Sequence, residues 1–265
     1  MTTERKMILK GKPVAREIEK NLPILTNSGA LLVVQVGSNT ISDLYVRKKR
    51  ELCEELGVGF KLKKFMHSVS TEEVVDFIKQ GNEDESVGGI IVQIPLPQNL
   101  DKDKIIQAIS CEKDIDGFCY IAGGDYKYYP PTVLAIDRIV EYYRPQAKRK
   151  KILIVGGGFL VGRPLHKYWH GAGLDVDILE KDCDQYFEKI KRADLVIVST
   201  GGGTKLSKDH FKAGAVVIDA STISEAGKIA GDVDGENWPD GIDLAPVPGG
   251  VGPLTVAMLL QNLFS

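Results

Sequence analysis

Apolar runs too short for helices recur along this chain, and a stretch with helical spacing follows nearly every one. "ALLVVQVG" (30–37) and "VGGIIVQIPLP" (87–97) read as strands buried on both faces, with "GFKLKKFM" (59–66) as the strand between them. Residues 12–27, Ser42–Leu56 and "STEEVVDFIKQGN" read as helices, the second ended by an αL cap at Gly57 and the third opened by a capping box. After a helix at 132–144, a second series contains "KILIV", "DVDILE", "ADLVIVST" and "AVVIDA". Such alternation builds βαβ units with parallel sheets. The expected fold is two α/β domains, the second a doubly wound Rossmann-type dinucleotide-binding sheet.

At 265 residues the chain is long for one core, since a domain averages roughly 150 residues. The first domain is expected to span 1–130 and to take back a C-terminal helix at 253–265, leaving 131–252 as the second. "AGGDYKYYPPT" (122–132) leads into the crossing, and a cleft is expected between the domains. A formal net charge of −2 gives no electrostatic case for nucleic acid or an anionic membrane. The charged N-terminus "MTTERKMILKGKPVAREIEK" lacks a signal peptide's apolar region. No apolar run approaches the roughly 20 residues that span a bilayer. Cys53, Cys111, Cys119 and Cys183 form no CxxC pair and are expected to be reduced thiols of a cytoplasmic protein. His166 and His170 have a metal-site spacing, but no third ligand accompanies them and no metal is expected.

"KILIVGGGFLVGRPL" places Gly156, Gly157, Gly158 and Gly162 between a strand and a helix. Bare backbone there lets a pyrophosphate approach the positive helix N-terminus. The G-x-G-x-x-x-G spacing is one residue longer than the commonest fingerprint, and a tight turn alone is the competing explanation. Glu180 ends the next strand, where a carboxylate accepts ribose hydroxyls and repels a 2′-phosphate. That favours NAD over NADP, with Lys181 beside it pulling the other way.

In the first half, Tyr45 and Lys49 are i, i+4 and share a helix face. A desolvated lysine beside a strand end suits proton transfer, although the run Lys48–Lys49–Arg50 also fits plain helix surface. Gln93 is an amide in an otherwise apolar strand, aimed at the carboxyl end where ligands bind. "CEKDIDGF" sets Asp114 and Asp116 in a loop, either as Asx-turn residues or with Asp116 accepting hydrogen bonds from an amino-heterocycle. Near the end, "PVPGGVGPLTVAMLL" makes a stiff loop ahead of an apolar helix starting near Pro253, fit for a flat ligand or for a rigid connector.

Taken in order, "VGSNTISDLYVRKKRELCEELGV", "GGIIVQIPLP", "EKDIDGF", "VGRPL" and "PVPGGVGPLTVAMLL" resemble the signatures of the methylenetetrahydrofolate dehydrogenase/methenyltetrahydrofolate cyclohydrolase family, bacterial FolD type, over nearly the whole chain. The resemblance implies a bifunctional one-carbon enzyme. It oxidises 5,10-methylenetetrahydrofolate with NAD or NADP and hydrolyses the methenyl product to 10-formyltetrahydrofolate. It implies catalytic roles for Lys49, Gln93, Tyr45 and Asp116, and folate contacts from Ser42, Tyr45, Asp116, Pro248, Gly249 and Gly250. Tyr45 stacks on the folate rings, Asp116 bonds the pterin edge, and Lys49 with Gln93 assists hydrolysis. Cofactor contacts are implied for Gly156, Gly157, Gly158, Gly162, Glu180, Lys181, Thr200, Gly201 and Thr255, and the family is generally homodimeric.

The chain departs from the pattern at the cofactor end. Gly156–Gly158 stand where Gly-Arg-Ser is usual, and Leu179–Lys181 where a Cys-His-Ser-type turn is usual. The arginine and serine that hold a 2′-phosphate are therefore missing, which again favours NAD. "IDASTIS", Ala122–Gly124 and Pro131–Val133 replace other family runs. The alternatives are a cyclohydrolase-only enzyme or a non-catalytic folate- or nucleotide-binding paralogue. The retained glycine turn opposes the first, and retained Lys49 and Gln93 oppose the second. A shikimate-type dehydrogenase shares the two-domain plan but lacks the "PVPGGVGP" loop.

Overall fold

Helix α1 (Gly11–Asn21) leads towards the first sheet, in a computed structural model that describes residues 7–22, 29–225, 228–235 and 238–265. The helix expected to reach residue 27 is seen to Asn21, and residues 23–27 of that expectation lie outside the described ones. Strand β1 (Ala30–Val36) is buried from Leu31 onward and pairs in parallel with both β2 (Phe60–Phe65) and β3 (Val87–Val92). Between them run α2 (Thr40–Leu56), closed by Gly57 at φ 70°, and α3 (Thr71–Glu83), opened by the Ser70/Glu73 capping box. Short helices α4 (Lys102–Gln107) and α5 (Phe118–Ala122) follow. The core of this unit gathers Leu32, Val34, Ile78, Ile90, Ile105 and Phe118.

Helix α6 (Pro131–Tyr143) precedes the second sheet. Its strands are β4 (Ile152–Val155), β5 (Val176–Leu179), β6 (Leu195–Val198), β7 (Val216–Asp219) and β10 (Asp243–Ala245), all parallel, in the order β10-β7-β6-β4-β5. Chain order reverses between β4 and β6, the switch point at which ligands bind in doubly wound sheets. Helices α7 (Gly162–Gly171) and α8 (Tyr186–Arg192) link the strands, and a small hairpin joins β8 (Ile223–Glu225) to β9 (Lys228–Ala230). The hairpin and β10 are runs of three residues, too short to show any sequence period. Helix α9 (Val251–Leu263) ends the chain, beginning two residues ahead of the expected start at Pro253.

The chain divides into two compact units, Ile18–Pro131 with Val256–Ser265, and the described residues up to Glu17 with Thr132–Thr255. In this division the described residues up to Glu17 are grouped with the second sheet. The cause is strand pairing. Ile8 bridges Leu244 in parallel, and the Leu9 amide donates to the Leu244 carbonyl at 2.8 Å, capping the edge of β10.

The end of α9 is tied to the loop that carries Asp116. Asn262, 6% exposed, donates both amide protons, to the carbonyls of Ile115 and Tyr129 at 2.9 Å each. Replacing it removes both bonds, one of them to the carbonyl of fully buried Ile115. Asn262→Ala is expected to lower stability by about 2 kcal/mol, read by urea unfolding, whereas a loss below about 0.5 kcal/mol would show that the loop does not depend on this anchor.

Candidate functional site

Helix α2 starts from Asn39, whose side chain accepts from the Ser42 amide and donates to the Ser42 hydroxyl at 2.9 Å. Ser42, expected to touch substrate, is buried in this cap. One turn further, Tyr45 is half-buried with the Lys48 ammonium 5.6 Å from its ring centroid. Lys49 turns towards β3, and its Nζ donates to Gln93 Oε1 at 3.1 Å. Gln93 lies one residue past β3 rather than within it. Its backbone still bonds to the Val34 carbonyl, and its Nε2 donates to the Ile94 carbonyl at 2.9 Å. The amide is therefore oriented, with its oxygen left for the lysine.

Burial lowers the pKa of Lys49 from the usual lysine value, opposed by the charge of Asp116 and more weakly by that of Cys53. Burial likewise raises Asp116, with Lys49 opposing. Gln93 and Lys49 are thus joined by a hydrogen bond, and Lys49 and Asp116 by their charges. A desolvated amine oriented by a fixed amide gives up its proton more readily than an exposed lysine does.

The loop bearing Asp116 is densely bonded. Asp114 Oδ2 accepts from the Cys119 amide at 2.6 Å, while Asp114 Oδ1 is buried without a partner. Burial pushes the Asp114 carboxyl up to about 7, against backbone hydrogen bonds that lower it. Gly117 has φ 76°, and a Cβ there would meet Pro130 N at 2.6 Å, so only glycine fits the turn. The cysteines correct the sequence expectation. Cys111 and Cys119, eight residues apart, form a disulfide, and only Cys53 and Cys183 are free. The loop and α5 bring their Cα atoms to 5.8 Å, a separation a disulfide spans.

In the other unit, the turn after β4 sits beside the end of β6, where the Ser199 hydroxyl donates to the Gly156 carbonyl at 2.8 Å. A Cβ on Gly162 would strike the Gly156 carbonyl, whereas Gly158 is exposed and a Cβ there would meet only the Ser199 carbonyl at 3.8 Å. Helix α7 begins at Gly162. This bare turn at the switch point fits a dinucleotide pyrophosphate. The Gly157 amide donates to Glu180 Oε2 at 3.4 Å, and a Cβ on Gly157 would strike the same carboxylate. Lys181 is engaged elsewhere, donating to the Gly203 carbonyl at 2.8 Å. Gly201 is exposed with φ 64°, and the Thr255 hydroxyl donates back to the Val251 carbonyl at 3.2 Å.

Sequence reasoning missed two carboxylates here. Asp232, fully buried, accepts from the Thr200 hydroxyl, from the Ser221 hydroxyl at 2.6 Å and from the Gly202 amide at 3.0 Å. Asp219, also fully buried, accepts from the Ser221 and Val233 amides at 3.0 and 2.8 Å, and burial pushes its carboxyl up to about 6. Asp232 fixes the loop after β6 and commits the Thr200 side chain to it, while Asp219 holds the chain at Ser221 and Val233. The only sequence signal was "GDVD" (231–234), which by itself reads as a turn. In the loop expected near the folate, Gly249 accepts from the Gly11 amide at 2.9 Å, and Gly250 is packed so that a Cβ would meet the Pro246 carbonyl at 2.7 Å. Both glycines serve the turn itself.

A doubly wound sheet with a glycine turn at its switch point, in a chain whose other unit holds a desolvated lysine, defines an α/β enzyme with a nucleotide-binding half. Residues 9–116 match the model of the tetrahydrofolate dehydrogenase/cyclohydrolase catalytic domain, and residues 130–265 that of the same family's NAD(P)-binding domain. The chain belongs to the tetrahydrofolate dehydrogenase/cyclohydrolase family. It is 38% identical over 274 aligned positions to the bifunctional protein FolD of Aquifex aeolicus, covering 97% of this chain and 93% of that protein. It superposes on the crystal structure of the bifunctional FolD of Campylobacter jejuni with a TM-score of 0.87 and 32% identity, over 98% of this chain and 97% of the other. The Trypanosoma brucei FolD complexed with NADP and inhibitor shares the fold at a TM-score of 0.86 and 24% identity, over 98% and 96%. No helix among the described residues is long and apolar enough to cross a membrane.

The raised Asp114 carboxyl has a stability consequence. Because the folded form holds its proton to about pH 7 and the unfolded one only to about pH 4, its contribution is present in acid and lost as pH rises through 7. Relative to the parent, Asp114→Asn is expected to gain about 2 kcal/mol or more in unfolding free energy between pH 4 and 8. Parallel curves from urea titrations at the two pH values would remove the assignment.

Proposed function

We propose that the Lys49–Gln93–Asp116 group carries the folate chemistry that family membership assigns to this chain. That chemistry is oxidation of 5,10-methylenetetrahydrofolate to the methenyl form and hydrolysis of the methenyl form to 10-formyltetrahydrofolate. The observation behind this is the 3.1 Å bond from Lys49 to Gln93, with the lysine pKa lowered by burial. A neutral Lys49 amine takes a proton from the water that adds to the carbon between N5 and N10, and Gln93 keeps the amine aimed. Asp116 accepts hydrogen bonds from the pterin edge, and its negative charge offsets the cation of the methenyl form. Tyr45 offers its ring face to the folate. Ser42 supports this helix end from within the Asn39 cap.

The nicotinamide, when bound, accepts the hydride released from the methylene carbon. Gly156, Gly158 and Gly162 give the pyrophosphate bare backbone, and Gly201 with the Thr200 backbone borders the same switch point. Glu180 beside Gly157 favours NAD, since a carboxylate there bonds ribose hydroxyls and repels a 2′-phosphate. Lys181, held by the Gly203 carbonyl, does not replace the missing phosphate clamp. Pro248, Gly249 and Gly250 are assigned to the folate and Thr255 to the cofactor on the family resemblance. The same resemblance supports a cytoplasmic homodimer, with residues 1–130 plus 253–265 as the folate unit.

Two variants test these roles. Lys49→Ala is expected to lower the hydrolysis of methenyltetrahydrofolate by about 10²–10⁴-fold, with folate binding by calorimetry nearly intact. Unchanged hydrolysis removes Lys49 from the mechanism. With methylenetetrahydrofolate, the parent is expected to reduce NAD faster than NADP, and Glu180→Ala to shift the kcat/KM ratio towards NADP by about tenfold or more. An unmoved ratio shows that Glu180 does not read the ribose.

A further inference from the structure

The Cys111–Cys119 disulfide closes a ring around "EKDIDGF", the segment that contains both Asp114 and Asp116. We propose that this pair is a redox modification site, reduced by a protein dithiol, and that its oxidation state sets how firmly the chain holds its folate substrate. The proposal rests on the reading of Asp116 as a substrate contact.

Three observations carry it. First, the bond joins the two ends of the segment directly. At one end Lys113 is fixed, since its carbonyl accepts from the Ile90 amide at 2.8 Å and its ammonium donates to the Gly81 and Asp84 carbonyls. At the other end Cys119 lies in the first turn of α5, a helix of five residues whose N-cap makes no side-chain hydrogen bond. A helix so short has little stability of its own. Its first turn is held by the Gly117, Phe118 and Cys119 backbone on Asp114, and the disulfide adds a covalent tie to Cys111. Second, both Cys111 and Cys119 are partly exposed, so a dithiol can reach them. Cys53, by contrast, is buried, and its thiol is pushed up to about 12 by burial, which makes it a poor nucleophile. Third, Asp116 lies between the clasped ends, three residues before Cys119.

Reduction proceeds by thiol–disulfide exchange. A thiolate of the dithiol attacks one sulfur, the Cys111–Cys119 bond breaks, and a mixed disulfide forms. The second thiol of the reductant then displaces the cysteine. Two electrons and two protons pass to Cys111 and Cys119, and the reductant leaves as its own disulfide. The segment keeps its Ile90 and Asn262 anchors but loses the covalent hold on α5. Asp116 then samples more positions, and binding carries the cost of ordering it.

The test uses the whole enzyme prepared in air and the same enzyme after dithiothreitol. Thiol labelling under denaturing conditions is expected to count two free thiols before treatment and four after. KM for methenyltetrahydrofolate hydrolysis is expected to rise about fivefold or more on reduction, with a smaller change in kcat. The double variant Cys111→Ser/Cys119→Ser is expected to show the high KM in both buffers, its melting temperature confirming that it is folded. Four thiols before treatment, or a KM that ignores the dithiol, overturns the proposal. Asp116→Asn run alongside separates the two readings. An unchanged KM in that variant removes Asp116 as a substrate contact, while the thiol count and dithiol response decide the clasp by themselves.

Discussion

Strands buried on both faces leave no room for chemistry along their length, so the functional groups gather in the turns, helices and loops beyond the strand ends. Strand β1 runs into the turn that caps α2 and so sets Tyr45 and Lys49. Strand β3 delivers Gln93 one residue beyond its last pair. Strand β4 opens into the glycine turn, β5 into Glu180 and β6 into the Asp232-held loop. Backbone pairing positions these groups, and their side chains are free to be polar because the ladder is already satisfied.

Where polar groups are buried at those ends, their charge is set by desolvation. Lys49 and Asp116 move in opposite directions and restrain each other. Among the described residues no cation offsets the burial of Asp114 or Asp219, and both are raised well above the ordinary carboxylate range. The first pair is suited to proton movement. The second two hold loops through backbone amides, a structural task a neutral acid can share.

The strand–helix alternation was legible in the sequence because a doubly buried strand is a continuous apolar run, and because Gly57 and Ser70 mark helix limits by side-chain chemistry. Gln93 could be singled out as an amide at the end of such a run, Lys49 by its i, i+4 spacing with Tyr45, and Asp116 by its place in a short acidic loop. What escaped the sequence depends on distance in the chain. Ile8 pairs with Leu244, and Thr200 with Asp232, with no local pattern to announce either. The disulfide escaped for a similar reason, since the seven intervening positions say nothing of how the Asp114–Gly117 turn folds them back.

Gly157 and Glu180 share one small volume, the amide of the first bonded to the carboxylate of the second with no space for a Cβ between them. Under drift or selection, the two sites therefore behave as a single heritable trait. Any side chain acquired at 157 dislodges the carboxylate before it does anything else, so its effect on cofactor choice depends on which residue occupies 180 at the time. The order in which the two positions change decides which intermediates remain usable, and lineages of this fold that differ at one position are expected to differ at the other.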